Sequence, residues 1–277
     1  MSGRRNRWIV AATVIATLGL GTVSALAAHA AKGEPGKKAR EMGQRLAAKA
    51  GLKGEKAVQF VKTWDAAARE RREKRKELVQ AMRQLATEFR EAGKDKPLTR
   101  SLDRVQAAVL ALVDGHGKTI ESLRSTLTSE QQSRLVLESK GHRILALPGM
   151  KQAVPALVKH LRGEFLAAVP ELDRQAREKL ESIGESHMQE RSKLLEQRLA
   201  IIEKLRGASG DGSQAAALLD QLVANGAALR ETVTEQIVEV RKGVPERELA
   251  RVLVALGEKV RSLRGKAKAL REAASEE

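Results

Sequence analysis

The sequence predicts an all-α protein made of long antiparallel helical hairpins, and three observations lead to this prediction. The 277 residues include no cysteine, no tyrosine and only 2% aromatic residues. This low aromatic content argues against a compact globular core. Charged residues make up 31% of the chain and apolar residues 42%, a balance typical of long helices and coiled coils. Helix-start signals also recur at fixed spacings, which predicts that one helical unit is present twice.

The first thirty residues have the pattern of an export signal. Arg4, Arg5 and Arg7 precede an apolar run, and small residues at positions 25–30 offer cleavage sites of the Ala-x-Ala kind. We therefore expect residues 1–30 to be removed and the protein to be periplasmic. The alternative is an uncleaved inner-membrane anchor, because the apolar run is long enough to cross a bilayer. Residues 31–49 follow as a basic linker that ends in a short helix.

Two helix starts in the first half of the chain lie 75 residues apart. Residues 52–55 (Leu-Lys-Gly-Glu) form one, and residues 127–131 (Leu-Thr-Ser-Glu-Gln) form the other. After Leu127, the Thr128 hydroxyl can accept a hydrogen bond from the Gln131 amide, and the Gln131 side chain can accept one from the Thr128 amide. This reciprocal capping box predicts a helix that begins beside Thr128.

Two Val-Pro-Glu tripeptides in the second half are also 75 residues apart. Pro170 and Pro245 suit the first position of a helix, where the missing N–H costs nothing. Glu171 and Glu246 follow them and are favoured in the first turn by the helix dipole. We therefore predict that helices begin at both prolines.

An offset of 116 residues relates the two halves of the chain. It matches the glutamates of the four helix starts in pairs, position 55 with 171 and position 130 with 246. It also matches apolar positions, namely Leu78 with Leu194, Leu85 with Ile201 and Phe89 with Leu205. We predict a tandem duplication, with one helical repeat over residues 50–155 and a second over residues 156–277.

The first long helix, predicted over residues 54–92, carries an apolar stripe that charged residues interrupt. Steps of three and four residues join its seam positions, which are Val61, Trp64, Ala68, Arg71, Arg75, Leu78, Met82, Leu85 and Phe89. Arg71 and Arg75 occupy two successive seam positions. The equivalent positions of the second repeat hold His187 and Arg191.

Short turns at residues 93–97 and 207–212 predict antiparallel partners for both long helices. The returning helices are predicted over residues 98–125 and 213–241, and each is followed by one of the helices that begin near Thr128 and Pro245. Glycines at positions 115, 117 and 226 are expected to weaken or bend them. Pro148 and Pro155 mark the junction between the repeats.

The formal net charge of +16 favours acidic partners. Basic residues within an apolar seam prevent two helices from closing tightly, so apolar and basic surface should lie side by side. Such a surface suits an unfolded acidic polypeptide. The residues predicted to bind it are Phe60, Trp64, Arg71, Arg72, Arg75, Lys76, Met82, Arg191, Lys193 and Arg198. For any one of these residues, the simpler interpretation is an ordinary core or solvated position.

The sequence contains no phosphate-binding loop, no nucleophilic triad and no calcium loop. We therefore expect neither an enzyme nor a bound cofactor. His187, Met188 and Glu190 form the best local cluster for a metal ion, because positions 187 and 190 share a helix face. They provide fewer ligands than a metal usually requires, so we expect no metal site and interpret His187 as a polar seam residue.

These features resemble the Spy/CpxP-like periplasmic proteins, which have paired Leu-Thr-x-x-Gln motifs and a signal peptide. Residues 127–131 match the motif in full. Residues 50–56, followed by a charged helix, look like the first motif with its threonine and glutamine lost, and the second repeat retains only the positions. The resemblance implies an ATP-independent chaperone or envelope-stress protein, built as a thin cradle of long helices that binds partly unfolded clients and dimerises. Two cradle units in one chain predict a pseudo-dimer, with self-association as the alternative.

Other functions remain open at this point. A periplasmic protein that senses or binds heavy metals would fit the same family resemblance. A membrane-anchored structural coiled coil would fit an uncleaved signal. Nucleic acid is not an expected partner, because the chain lacks aromatic stacking platforms and the export signal separates it from nucleic acid.

Overall fold

The protein is all-α, and it is described here from a computed structural model that covers residues 35–91, 96–138, 150–208 and 212–273. Within these ranges the chain forms eight helices and no strand. In chain order the helices are α1 (Pro35–Lys49), α2 (Gly54–Glu91), α3 (Thr99–Arg124), α4 (Ser129–Leu137), α5 (Met150–Ala167), α6 (Arg174–Gly207), α7 (Gly212–Gly243) and α8 (Glu246–Ala273). The predicted all-α class is confirmed.

Two long hairpins form the frame of the molecule. Helix α2 packs along α3, and α6 packs along α7; α1 lies on α2, and α5 lies on α6. The remaining two helices cross over. Helix α4 packs on α6 and α7, whereas α8 packs on α2 and α3. Each hairpin is therefore completed by a helix from the other half of the chain.

One hydrophobic core joins the two halves. It contains buried residues from α2, α3, α5, α6, α7 and α8, among them Leu85, Leu102, Leu166, Ile183 and Val252. Leu85, Leu166 and Val252 are each 0% exposed. Both hairpins contribute side chains to the same core. Separation of the hairpins would therefore expose apolar surface on each of them.

The seam predicted on the first long helix faces its neighbours. Leu85 is buried, and the other eight seam positions, including Arg71 and Arg75, are all partly buried. The alternation of three- and four-residue steps therefore identified the packed face of α2 correctly. The predicted limits of α2, α3 and α7 also lie within two residues of the observed ones. Helices α3 and α7 continue unbroken through their glycines.

The predicted capping box is present at the start of α4. The Gln131 amide donates to Thr128 Oγ1 at 3.3 Å, and the Thr128 amide donates to Gln131 Oε1 at 3.0 Å. We expect Thr128→Ala to lower the free energy of unfolding by about 1 kcal/mol, because an amide of the first turn loses its partner. Urea denaturation followed by circular dichroism measures this change. Thr63→Ala is the control, because the Thr63 hydroxyl bonds the Gln59 carbonyl inside α2 and caps nothing; an equal loss there would contradict the capping role.

The prediction that a helix begins at Pro170 is wrong. Glu171 has a φ of 54°, a left-handed conformation that cannot form the first turn of a right-handed helix. Helix α6 begins four residues later than predicted, at Arg174, after Asp173. The Asp173 carboxylate accepts hydrogen bonds from the amides of Gln175 and Ala176, at 2.8 and 3.0 Å. An aspartate cap therefore replaces the predicted proline start.

At the second Val-Pro-Glu, the helix begins one residue later than predicted, at Glu246. Pro245 precedes α8, and its carbonyl accepts from the Leu249 amide at 2.9 Å. The Glu246 carboxylate lies in the first turn, where it accepts from the Thr99 hydroxyl at 3.0 Å and from Arg241 at 3.1 Å. This glutamate therefore ties the start of α8 to α3 and α7.

Two predicted boundaries differ from the observed helices. Residues 35–49, predicted as a basic linker with a short terminal helix, are helical throughout as α1, which packs on α2. The division predicted between residues 155 and 156 falls inside α5. The predicted signal at residues 1–30 and Pro148 lie outside the described residues, and the duplication itself stays a prediction. In the described ranges, none of the helices combines the length and the hydropathy that a bilayer crossing requires.

Candidate functional site: a basic, apolar cavity between the hairpins

A cavity of about 600 Å³ lies where α3 and α4 meet α6 and α7, and we call it the central cavity. Its walls are mostly apolar side chains from these four helices, including Val113, Leu123, Leu135, Leu195, Leu219, Leu222 and Val233. Ile120, which is 38% exposed, is part of the wall. The cavity therefore combines a size typical of ligand pockets with apolar surface that water can reach.

Four arginines also line the central cavity, whereas Glu121 is the one acidic residue among its described lining residues. Arg124 pairs with Asp220 across from α3 to α7. Arg191 donates to Gln236 Oε1 and to the carbonyl of Thr232, and Arg198 donates to the Leu222 carbonyl at 3.4 Å. The lining therefore carries a clear excess of positive charge.

Two glycines of α3 and α7 lie close to arginine side chains of the central cavity. A Cβ at Gly117 would come within 2.9 Å of Arg230 Nε, and a Cβ at Gly226 would come within 3.6 Å of Arg198 Nη1. These glycines lie inside α3 and α7. The missing side chain of Gly117 leaves room for the Arg230 guanidinium in the wall of the cavity, whereas the distance at Gly226 is an ordinary van der Waals contact.

Burial shifts the pKa of several of these groups. Burial lowers the pKa of Arg191 to about 10, and it lowers the pKa of Arg198 as well. Partial burial also lowers the pKa of His116, and the charges of Arg71, Arg230 and Arg198 lower it further. Three arginines contribute to this shift after burial, which agrees with the excess of positive charge in the lining.

A smaller cavity of about 250 Å³ lies between α2 and α8, and we call it the outer cavity. Arg75, Leu78, Val79 and Met82 of α2 line it together with Leu253 and Leu256 of α8. The offset of 116 residues relates Arg75 to Arg191 and Val79 to Leu195 in the central cavity. Arginine beside apolar side chains is therefore found at equivalent positions of both hairpins.

Phe60 does not belong to a binding surface. It is 1% exposed and packs in a cluster with Ala47, Ala50 and Leu52, where α1 meets α2. The prediction that it contacts a client is wrong, because helix α1 completes a local core around the ring. Sequence reasoning missed this because it assigned residues 31–49 mainly to a linker.

Trp64 and Arg71 form one unit on α2. The Arg71 guanidinium lies over the indole ring, 5.1 Å from its centroid, a favourable cation–π distance. A Cβ at Gly43 of α1 would come within 2.8 Å of Trp64 Cδ1, so α1 also packs against this ring. Burial lowers the pKa of Arg71. Both side chains are partly buried and lie outside the lining of the two cavities.

The other predicted residues divide between the cavities and the solvated surface. Arg191 and Arg198 line the central cavity, and Arg75 and Met82 line the outer cavity. Arg72 is partly buried on α2, Lys76 pairs with Glu73 at 2.9 Å on the surface, and Lys193 is exposed. Neither cavity is lined by Arg72, Lys76 or Lys193.

Sequence reasoning missed Arg124, Arg230 and His116 as members of the central cavity. These residues lie on the returning helices α3 and α7, for which the sequence predicted the limits and the effect of the glycines but no binding residue. The glycines at 117 and 226 were the available signal, since glycine inside a packed helix often marks a close approach by a neighbouring group.

Met188, predicted as a weak metal candidate, lines the central cavity. His187 is 7% exposed, and its Nε2 lies 2.9 Å from Glu239 Oε2 of α7. His187 is therefore a buried polar group with a partner on the facing helix, in agreement with its interpretation as a seam residue.

Comparison of the chain with protein-family models, with curated proteins and with solved structures found no match.

Proposed function

We propose that this protein is a binding protein that holds partly unfolded, acidic polypeptides without ATP, and that the central cavity is its main binding surface. The observation that carries the proposal is the combination of apolar walls with Arg191, Arg198 and Arg230 in one cavity. Positive potential attracts acidic segments from a distance, and apolar walls hold their hydrophobic side chains. Met188 adds an adaptable apolar contact that suits varied partners.

The resemblance of residues 127–131 to the Leu-Thr-x-x-Gln motif supports the same function. The capping box formed by these residues starts α4, and Leu135 and Val136 of that helix line the central cavity. In this proposal the motif contributes indirectly to binding, because it fixes the start of the helix that forms one wall of the binding surface. A periplasmic location belongs to the proposal, because it follows from the N-terminal pattern.

The crossing of α4 and α8 between the hairpins supports the pseudo-dimer part of the proposal. Each hairpin receives a helix from the other half, as two subunits would exchange elements in a dimer. One chain would then provide both walls of the cavity.

The experiment that tests the function is suppression of aggregation by the purified chain lacking residues 1–30. Reduced α-lactalbumin, an acidic protein, is allowed to aggregate in ATP-free buffer with a metal chelator, and light scattering is recorded at increasing ratios of added protein. We expect suppression near an equimolar ratio. The effect should weaken between 50 and 300 mM salt, because salt screens the attraction.

A basic test protein of similar size is the control, and it should be protected less. Equal protection of both proteins, or protection that salt does not change, would contradict the role of the arginines. Absence of suppression at any ratio would contradict the proposed function.

A further inference from the structure

Three potential metal ligands converge between α6 and α7, beside the central cavity. One ring nitrogen of His187 and one carboxylate oxygen each from Glu190 and Glu235 lie within 4.8 Å of one another. His187 is buried, whereas both glutamates are exposed. The imidazole is therefore fixed by packing, and the two carboxylates are free to adjust.

The orientation of the imidazole ring is set by a fourth residue. Glu239 Oε2 lies 2.9 Å from His187 Nε2. Nδ1 is buried and has no hydrogen-bond partner among the described residues, and it lies 4.0 Å from Glu190 Oε2. With Nε2–H donated to Glu239, Nδ1 carries the lone pair and faces a carboxylate. A carboxylate that orients a histidine in this way is the usual outer partner of a metal-bound imidazole.

A buried ring nitrogen without a partner requires an explanation, because an unsatisfied polar atom is costly. A cation bound to Nδ1 would satisfy it and would also neutralise two neighbouring carboxylates. Imidazole nitrogen with carboxylate oxygen suits Zn²⁺, Ni²⁺ or Co²⁺ better than Ca²⁺ or Mg²⁺, which prefer oxygen ligands.

We propose that His187 Nδ1, Glu190 and Glu235 bind one divalent transition-metal ion, with Zn²⁺ as the expected occupant. Metal–ligand distances of about 2.0–2.2 Å require the three ligand atoms to approach one another more closely than they do here. Rotation of the two exposed glutamates supplies this movement. Three protein ligands leave a fourth position for water, and the ion would clamp α6 to α7 next to the central cavity.

The experiment is a titration of tag-free, metal-depleted protein with Zn²⁺ by calorimetry and with Co²⁺ by visible absorption. We expect one ion per chain, d–d bands typical of a four-coordinate site, and a rise in Tm when Zn²⁺ is added. Glu235→Gln should abolish this site without disturbing the fold, because Glu235 is exposed. Glu239→Gln should weaken binding by about 10- to 100-fold, as expected when an outer partner of the histidine is lost.

His160→Gln is the matched control. His160 lies on α5 with Glu164 at 3.4 Å, and both side chains are exposed. This pair resembles the proposed site, but the described residues provide no third ligand beside it and its ring is not buried. Its loss should change neither the stoichiometry nor the absorption spectrum. His187→Gln adds a second variant, with its helical content checked by circular dichroism.

Several outcomes would overturn the proposal. They are an unchanged Zn²⁺ affinity in Glu235→Gln, loss of binding in His160→Gln, and absence of any ion bound by the metal-depleted protein. The titration contains no client, so its result is independent of the proposed polypeptide binding.

Discussion

Replacement of both Arg198 and Arg230 by glutamine is expected to weaken client binding by about 100-fold and to abolish suppression of aggregation at an equimolar ratio. Each arginine can form a charge-assisted hydrogen bond to a client carboxylate, and such a bond contributes about 1.5–3 kcal/mol. Glutamine keeps a polar side chain of moderate length, so the cavity loses charge more than shape. Light scattering and fluorescence anisotropy of a labelled acidic client measure the effect.

The matched control is the double variant Arg174→Gln and Arg206→Gln, which removes the same net charge from α6. Both side chains are exposed, pair with Glu178 and Glu203 on the surface, and lie outside the central cavity. We expect this variant to retain most of the binding. If the two double variants lose affinity equally, overall charge attracts the client and the cavity is not its binding surface.

The salt dependence of binding also distinguishes attraction by the overall charge of the chain from binding in the central cavity. Binding by the unmodified chain should weaken with salt, and the Arg198/Arg230 variant should show a smaller dependence because two attracting charges are gone. His116 offers a local probe, since burial and, after it, the charges of neighbouring arginines lower its pKa. In that variant the pKa of His116, followed by NMR, should rise toward its ordinary value.

Leu85→Ala is expected to destabilise the whole chain by about 2–5 kcal/mol. Leu85 is 0% exposed and shares one core cluster with residues of α3, α5, α6, α7 and α8. Truncation removes buried methyl groups and leaves a cavity that rigid helices cannot fill. Because both hairpins share this core, we expect their helices to unfold in one transition in urea, measured by circular dichroism.

Val58→Ala is the control for this prediction. Val58 lies on the same helix but is 54% exposed, and a substitution there should change the free energy of unfolding by less than about 0.5 kcal/mol. Two separate transitions in Leu85→Ala, with one hairpin intact, would show that the halves fold independently and that the shared core contributes little.

Local signals in the sequence account for most of the helices. The three- and four-residue steps on α2 identify its packed face, because side chains at these spacings lie on one side of a helix. The capping box at Thr128 gives the start of α4, because its hydrogen bonds connect residues only three apart. The start of α6 was predicted wrongly because Pro170 and Asp173 are both plausible helix-start residues. Glu171 adopts a left-handed conformation, so the helix cannot begin at Pro170 and Asp173 caps it instead.

The candidate site was predicted less completely than the helices. Arg191 was identified because it occupies the seam position equivalent to Arg75, a relation that is visible along one helix. Phe60 was assigned to a surface, since the packing of α1 over it depends on a contact between different helices. Arg124, Arg230 and Glu235 were missed for the same reason, because each gains its role from a residue on another helix.

The sequence by itself determined the all-α class, the packed face of the first long helix and the helix start at Thr128. These properties depend on hydrogen bonds and side-chain spacings within one or two turns. Only the tertiary structure decided that α4 and α8 cross between the hairpins, that four arginines share one apolar cavity and that Glu235 of α7 lies beside His187 and Glu190. Those arrangements are set by the burial of apolar surface between distant segments, which favours whichever helix faces fit together and leaves no local pattern in the chain.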